Sequence, residues 1–185
     1  MDQYAVVGNP ISHSKSPLIH ALFAKQCGQE LEYSKLESPL DGFSAFVSDF
    51  FYGTSGNLQE GHKGFGKGLN VTVPFKEDAW SLCKHLSDAA KLAGAVNTLY
   101  LNDMGEICGD NTDGIGLVRD IKNQGINFKD KKILIIGAGG AVRGVLQPIL
   151  KELPKKVVVA NRTLSKADAL VSVFSGLGNV SSSSF

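Results

Sequence analysis

Short apolar runs alternate along this chain with segments whose apolar positions recur at helical spacing. Tyr4-Ala5-Val6-Val7 reads as a buried strand closed by Gly8-Asn9-Pro10. Ser16 followed by Pro17 reads as an N-cap with proline at the first helical position, opening a helix through Leu18, Ile19, Leu22 and Phe23. Residues 32–36 form the next strand candidate. Phe43, Phe46, Val47, Phe50 and Phe51 follow the i, i+3, i+4, i+7, i+8 rule, which predicts an amphipathic helix whose aromatic stripe faces the core. Leu69-Asn70-Val71-Thr72-Val73 alternates with period two and stops at Pro74, a strand, and a helix follows from Phe75 toward Cys83. Residues 95–101 make another strand, turned at Asn102-Asp103-Met104-Gly105 into 106–108.

After Asp110 the pattern changes. A helix carrying Ile115, Val118 and Ile121 leads into Lys132-Ile133-Leu134-Ile135-Ile136, a run typical of a strand buried on both faces of a parallel sheet. A helix over about 142–150, a strand Val157-Val158-Val159-Ala160 and a helix over 164–174 complete a βαβα series. The domain boundary is placed at 110–113. Residues 52–68 are rich in glycine and lack apolar period, which predicts a mobile surface loop.

Composition narrows the function classes. The 185 residues suit one domain or parts of two, and 43% hydrophobic with 20% charged residues is a globular balance. Lysine and arginine number 19 against 18 acidic residues, a net charge of +1. That excludes a strongly basic nucleic-acid binder and a polybasic membrane-surface protein. Glycine, 21 of 185, exceeds its usual share of about 7% and suggests tight turns or close backbone approach to a ligand. Cys27, Cys83 and Cys108 are widely spaced and odd in number, so the reading is three buried thiols in a reducing compartment, with no disulfide framework and no metal site. The N-terminus lacks a signal-peptide pattern and no apolar run reaches the ~20 residues of a membrane span, so a soluble, cytoplasmic protein is expected.

The chemistry-bearing residues fall into five clusters. Gly137-Ala138-Gly139-Gly140-Ala141 follows a predicted strand and opens a predicted helix, the context in which a glycine fingerprint cradles a dinucleotide pyrophosphate. The third fingerprint position, usually Gly or Ala, is Val142. The next strand ends in Asn161-Arg162-Thr163 where an NAD binder would place a carboxylate for the ribose. Arg162, with Thr163 and Lys166, instead suits a 2′-phosphate, so the cofactor expected is NADP. Ser12-His13-Ser14-Lys15-Ser16-Pro17 sets hydroxyls before a helix start. Asn70 and Thr72 lie on one face of a strand, and Lys76 falls in the first helical turn after it, where the dipole works against its positive charge. Gly109-Asp110-Asn111-Thr112-Asp113-Gly114 is polar and lies at the interdomain joint.

Together these stretches, with Val7-Gly8-Asn9-Pro10-Ile11 and Ala93-Gly94-Ala95-Val96-Asn97-Thr98, resemble the shikimate dehydrogenases, NADP-dependent enzymes of the aromatic amino-acid pathway. The resemblance covers nearly the whole chain. It implies an α/β fold: a substrate domain with a mixed sheet over 1–110, and an incomplete Rossmann-type NADP-binding domain over 111–185, with the active site in the cleft between them. It implies an oxidoreductase that interconverts 3-dehydroshikimate and shikimate by hydride transfer. Ser14 and Ser16 would bind the substrate carboxylate, and Asn70, Thr72, Asn97 and Asp113 the ring hydroxyls. Lys76 would be the acid/base, with Asp113 orienting the same oxygen. Gly137, Ala138, Gly139, Gly140, Ala141, Asn161, Arg162, Thr163 and Lys166 would hold the cofactor, and Asp88 would lie toward its nicotinamide end. The partners implied are small molecules, not nucleic acid or membrane, for a monomer or homodimer.

Two features depart from the family pattern. The 52–68 stretch is longer and richer in glycine, read as an insertion away from the chemistry. The sequence also stops at Phe185 after two βα units of the nucleotide domain, which reads as a C-terminally truncated member, weakly active or inactive alone, with an exposed apolar edge on the 132–136 strand. A quinate/shikimate dehydrogenase of broader range and a ligand-binding piece without turnover stay open as alternatives. Arg162 argues against NAD-using versions, and the paired serines suit the smaller shikimate ring.

Overall fold

The computed structural model describes residues 1–53 and 65–185, so most of the glycine-rich stretch lies outside the described residues. The chain divides into two compact units. One comprises Met1–Ser87 and Val96–Asp110, the other Asp88–Ala95 and Asn111–Phe185.

The first unit is built on β1 (Asp2–Gly8), α1 (Ser16–Cys27), β2 (Leu31–Glu37), α2 (Phe43–Tyr52), β3 (Gly68–Val71), α3 (Lys76–Leu82) and β4 (His85–Leu86). To the second belongs α4 (Asp88–Ala93), after which β5 (Thr98–Leu101) and β6 (Ile107–Asp110) complete the first. Its six strands run in the order β2-β1-β3-β5-β6-β4. β1 is parallel to β2 and β3, β5 is antiparallel to β3 and β6, and β4 is parallel to β6, so the sheet is mixed. Register sorts its residues onto two faces. Ala5, Val7, Leu36, Leu69, Val71 and Leu99 point one way and are buried with the aromatic stripe of α2, every member of which is buried. Phe75 stacks on Phe43 at 4.7 Å within this core. Each phenylalanine so buried contributes about 1.5–3 kcal/mol. The opposite face carries Tyr33, Tyr4, Asn70, Thr98 and Tyr100.

Helix α1 differs from its sequence reading. Its N-cap is Lys15 and Ser16 is already helical. The Ser16 hydroxyl is engaged with Ser14 and Tyr33 instead of capping. None of its residues is buried, and Leu18, Ile19, Leu22 and Phe23 are all exposed. The expectation of three buried thiols is corrected too. Cys108 is buried and Cys83 half-buried, but Cys27, at the exposed C-terminal end of α1, is exposed. Burial pushes the Cys83 thiol up to about 12, with Cys108 nearby adding to the shift.

The second unit continues with α5 (Asp113–Asn123), β7 (Lys132–Ile136), α6 (Gly140–Lys151), β8 (Lys156–Ala160), α7 (Leu164–Phe174), a 3₁₀ turn (Ser175–Leu177) and β9 (Val180–Ser183). Its sheet is parallel, in the order β7-β8-β9. The serine-rich β9 carries almost no apolar signal, so the two-strand reading missed it. The core gathers Val118, Leu146, Ile149, Leu150, Val157, Val159, Leu170 and Phe174, with Ile133 and Ile135 packed against it. Leu134 and Ile136 are instead 62% and 71% exposed, which corrects the expectation of a strand buried on both faces. The cause is topological: successive right-handed βαβ crossovers advancing in one direction along a sheet deliver α6 and α7 to the same face.

Helices α5 and α6 cross at glycine. A Cβ on Gly114 would lie 2.2 Å from the Gly144 carbonyl oxygen and 2.9 Å from Cγ of Pro148. Pro148 sits inside α6 and has no N–H to offer the Gly144 carbonyl. Nearby, Asn111 is buried, donates to the Ala95 carbonyl at 3.0 Å and accepts from the Asp113 N–H at 3.2 Å. Among the described residues no helix is long and apolar enough to cross a membrane, and no group of three or more metal-ligating side chains occurs.

Candidate functional site

In the first unit, four of the predicted side chains are joined into one directed line of hydrogen bonds. The Ser14 hydroxyl donates to Ser16 Oγ at 3.2 Å and accepts from the Ser16 N–H at 3.3 Å. Ser16 in turn bonds the Tyr33 phenol. Tyr33 donates to Asn70 Oδ1 at 2.6 Å. Asn70 Nδ2 reaches the Asn97 carbonyl and Thr98 Oγ1, both at 3.4 Å, and Thr98 donates to Asn97 Oδ1 at 2.9 Å. The sheet explains the assembly: Asn70 and Thr98 are cross-strand partners on β3 and β5, and alternation puts them on the Tyr33 face. Tyr33 and Thr98 were absent from the predicted set. The available signal was a polar-tipped residue at alternate positions of each strand, which sequence alone does not separate from ordinary strand composition.

Thr72 lies one residue past β3, its N–H donating to the Val7 carbonyl at 2.9 Å. Lys76 is the first residue of α3 and half-buried, and its carbonyl accepts from the Val96 N–H at 2.8 Å. A single turn of chain separates Thr72 from Lys76: Phe75 N–H donates back to the Thr72 carbonyl, and the Phe75 ring is locked in the core. The lysine backbone therefore starts from a fixed point.

In the second unit the polar groups are mostly backbone. β7 ends at Ile136 and α6 begins at Gly140, with Gly137-Ala138-Gly139 between them. Gly137 has φ +113°, a conformation that requires glycine, and its N–H donates to the Ala160 carbonyl at 2.7 Å. A Cβ on Gly139 or Gly140 would meet nothing within 4 Å. Their surface is open where a phosphate could approach the first N–H groups of a twelve-residue helix. Ala141 is exposed on the first turn of α6. After β8, Asn161 Nδ2 donates to the Thr163 carbonyl at 2.8 Å, and Thr163 is the N-cap of α7 without a side-chain cap bond. Arg162 and Lys166 are exposed on either side of that cap. The donor set fits a dinucleotide carrying an extra phosphate: backbone N–H groups at one strand end and two cations at the next. Asp113 opens α5 and is exposed. Asp88 opens α4, is 89% exposed and lies 3.6 Å from Lys91.

Residues 6–99 match the family model described as the shikimate dehydrogenase substrate binding domain, and 117–182 match the shikimate / quinate 5-dehydrogenase model. The chain is 56% identical over 186 residues to the shikimate dehydrogenase (NADP(+)) of Hahella chejuensis, covering 100% of this chain and 64% of that protein. Among solved structures, an Ael1 enzyme from Pseudomonas putida superposes with TM-score 0.90 at 44% identity, covering 100% of this chain and 64% of that one. The shikimate 5-dehydrogenase of Thermus thermophilus, in complex with NADP(H) and shikimate, superposes with TM-score 0.81 at 31% identity, covering 97% and 62%. The chain thus spans a little under two thirds of the length of the relatives it matches.

Proposed function

The chain belongs to the shikimate dehydrogenase family, and from that premise we propose that it serves the NADP-dependent interconversion of 3-dehydroshikimate and shikimate. The observation that carries this reading is the hydrogen-bonded line from Ser14 to Asn97, which collects hydroxyl and carboxamide groups on one sheet face. A compact polyol acid needs such a surface: donors for a carboxylate, and mixed donors and acceptors for ring hydroxyls.

In this reading Ser14 and Ser16 hold the carboxylate, and Asn70, Thr72, Asn97 and Asp113 hold the ring hydroxyls. Lys76 gives a proton to the oxygen that becomes the new hydroxyl and stabilises its developing negative charge. Asp113 accepts a hydrogen bond from the same hydroxyl and orients it. NADPH, when bound, supplies the hydride. The turn of Gly137, Ala138, Gly139, Gly140 and Ala141 holds its pyrophosphate through the N–H groups that open α6, while Gly137, its own N–H on the Ala160 carbonyl, shapes the turn. Asn161, Arg162, Thr163 and Lys166 hold the 2′-phosphate, and Asp88 lies toward the nicotinamide end.

Calorimetry on this chain with shikimate and quinate, each alone and with NADP or NAD, tests the reading, followed by an NADPH-coupled turnover assay. Shikimate and NADP binding is expected, with little or no turnover by this chain alone. Binding of neither would sink the proposal. Equal affinity for quinate would favour the broader specificity named by the second family model.

A further inference from the structure

Tyr33 belongs to no predicted site, yet its phenol stands at the middle of the polar line on the first unit's sheet. It bonds Ser16 on one side and Asn70 on the other. We propose that Tyr33 is a positioning residue of the substrate site, fixing which atoms of Ser16 and Asn70 face a polyhydroxylated carboxylic acid. The inference rests on the shikimate reading above and adds to it the group that sets the donor pattern of that site.

The argument starts from the symmetry of a carboxamide. Oxygen and NH₂ are nearly the same size, so an asparagine at a binding surface can present a donor or an acceptor, depending on its neighbours. Tyr33 removes the choice. Its O–H donates to Asn70 Oδ1 at 2.6 Å, turning the oxygen toward β2 and Nδ2 toward β5. The Nδ2 contacts on that side, to the Asn97 carbonyl and Thr98 Oγ1, are both 3.4 Å, long for N–H···O bonds. A ligand oxygen can take over such hydrogens at small cost. The order propagates, because Thr98 donates onward to Asn97 Oδ1 at 2.9 Å, so the second carboxamide has its oxygen pinned as well. Asn70 therefore offers N–H donors to ring oxygens. On the other side, the Tyr33 oxygen anchors the Ser16 hydroxyl, and through it Ser14, while the single rotatable proton of each serine can swing to an incoming carboxylate.

Tyr33 is suited to the task by its surroundings. Its ring lies flat against His20, 4.2 Å between centroids with 8° between planes. Burial raises the phenol pKa, so the donor keeps its proton, and burial lowers that of His20, which favours a neutral stacking partner.

Tyr33→Phe keeps the ring on His20 and deletes only the hydroxyl. Three readouts on this chain test the role: thermal melting, shikimate affinity by calorimetry, and the side-chain ¹⁵N–¹H₂ resonances of its asparagines. The expected result is a folded variant that binds shikimate about tenfold more weakly, since a polar partner is left unsatisfied. The Asn70 and Asn97 carboxamide resonances should shift while those of Asn102 and Asn179 stay in place. Unchanged Asn70 and Asn97 resonances, or undiminished affinity in the variant, overturn the role of Tyr33 and leave the substrate reading intact. Failure of the unmodified chain to bind shikimate at millimolar concentration overturns the substrate reading and this role with it, whatever the resonances do.

Discussion

In the first unit the candidate site is made of side chains that hold one another, from the Ser14 hydroxyl to the Asn97 carboxamide. In the second it is made of backbone, a glycine turn with φ +113° at Gly137 and the N–H groups that open α6. The two constructions fail differently. A side-chain network loses function when one atom is deleted, and the fold around it survives because the β-sheet ladder does not depend on it. A backbone site is insensitive to most side-chain deletions but depends on close approach of main chain to main chain, as at the Gly114 and Gly144 crossing. On the proposed reading, substrate discrimination is concentrated in exchangeable side chains, while the second unit is constrained where its helices meet.

The largest test of this contrast is Lys76→Ala. In an active chain it should lower kcat roughly 100-fold or more with little change in KM, as expected for loss of an acid/base group. Melting should be nearly unaltered, because the residue is half-buried at a helix start. Near-normal turnover would remove Lys76 from the chemistry.

The converse change alters fold without touching a polar side chain. Gly114→Ala drives a methyl to 2.2 Å from the Gly144 carbonyl oxygen, whereas a Cβ on Gly116, two residues along the same helix, meets nothing within 4 Å. Gly114→Ala should destabilise by about 3 kcal/mol, and Gly116→Ala should stabilise by up to about 1 kcal/mol. Urea unfolding measures both, and similar values for the two would contradict the tight crossing.

A smaller effect is expected from Arg162→Asp, in the cluster after β8 where the proposed nucleotide site relies on side chains. Reversing the charge should shift the ratio of NADP to NAD affinity by roughly tenfold or more toward NAD. An unaltered ratio would show that the 2′-phosphate is held elsewhere.

The least effect is expected at a surface carboxylate. Glu106, bonded to Lys84, His85 and Asn102, is held down to about 2 from the usual 4.5 by those three bonds. A carboxyl depressed on folding contributes stability in full above its unfolded value and loses it as pH falls through the folded one. The difference in melting temperature between the protein and Glu106→Gln should therefore be present at pH 6 and shrink between about pH 4.5 and 2. Because the carboxylate sits at the surface, the difference should be slight and weaken further in high salt.

Much of this organisation was legible in the chain. The period-two run ending at Pro74, the aromatic stripe of α2 and the strand–glycine–helix sequence around Gly137 are local patterns, and each formed the expected element. Ser14, Ser16 and Asn70 stood out because polar groups fell where an apolar or capping residue would serve, whereas Asn97 was marked by the family resemblance alone. What escaped was whatever depends on a neighbour distant in sequence. Tyr33 is an ordinary strand residue until register brings it to Asn70, thirty-seven positions away. The serine-rich β9 has little propensity of its own and becomes a strand by pairing with β8. The grouping of α4 with the second unit, although its flanking segments belong to the first, has no counterpart in local composition. The exposure of Leu134 and Ile136 likewise follows from both helices lying on one face.

The order of residues by itself determined the secondary elements, the glycine turn and the identity of most polar groups, because propensity, capping and periodicity act over a few neighbouring residues. Only the tertiary structure decided which of those groups meet, which face of each sheet is covered and where glycine is indispensable. Those outcomes depend on strand register and helix crossing, and the free energies that set them arise between residues far apart in the chain.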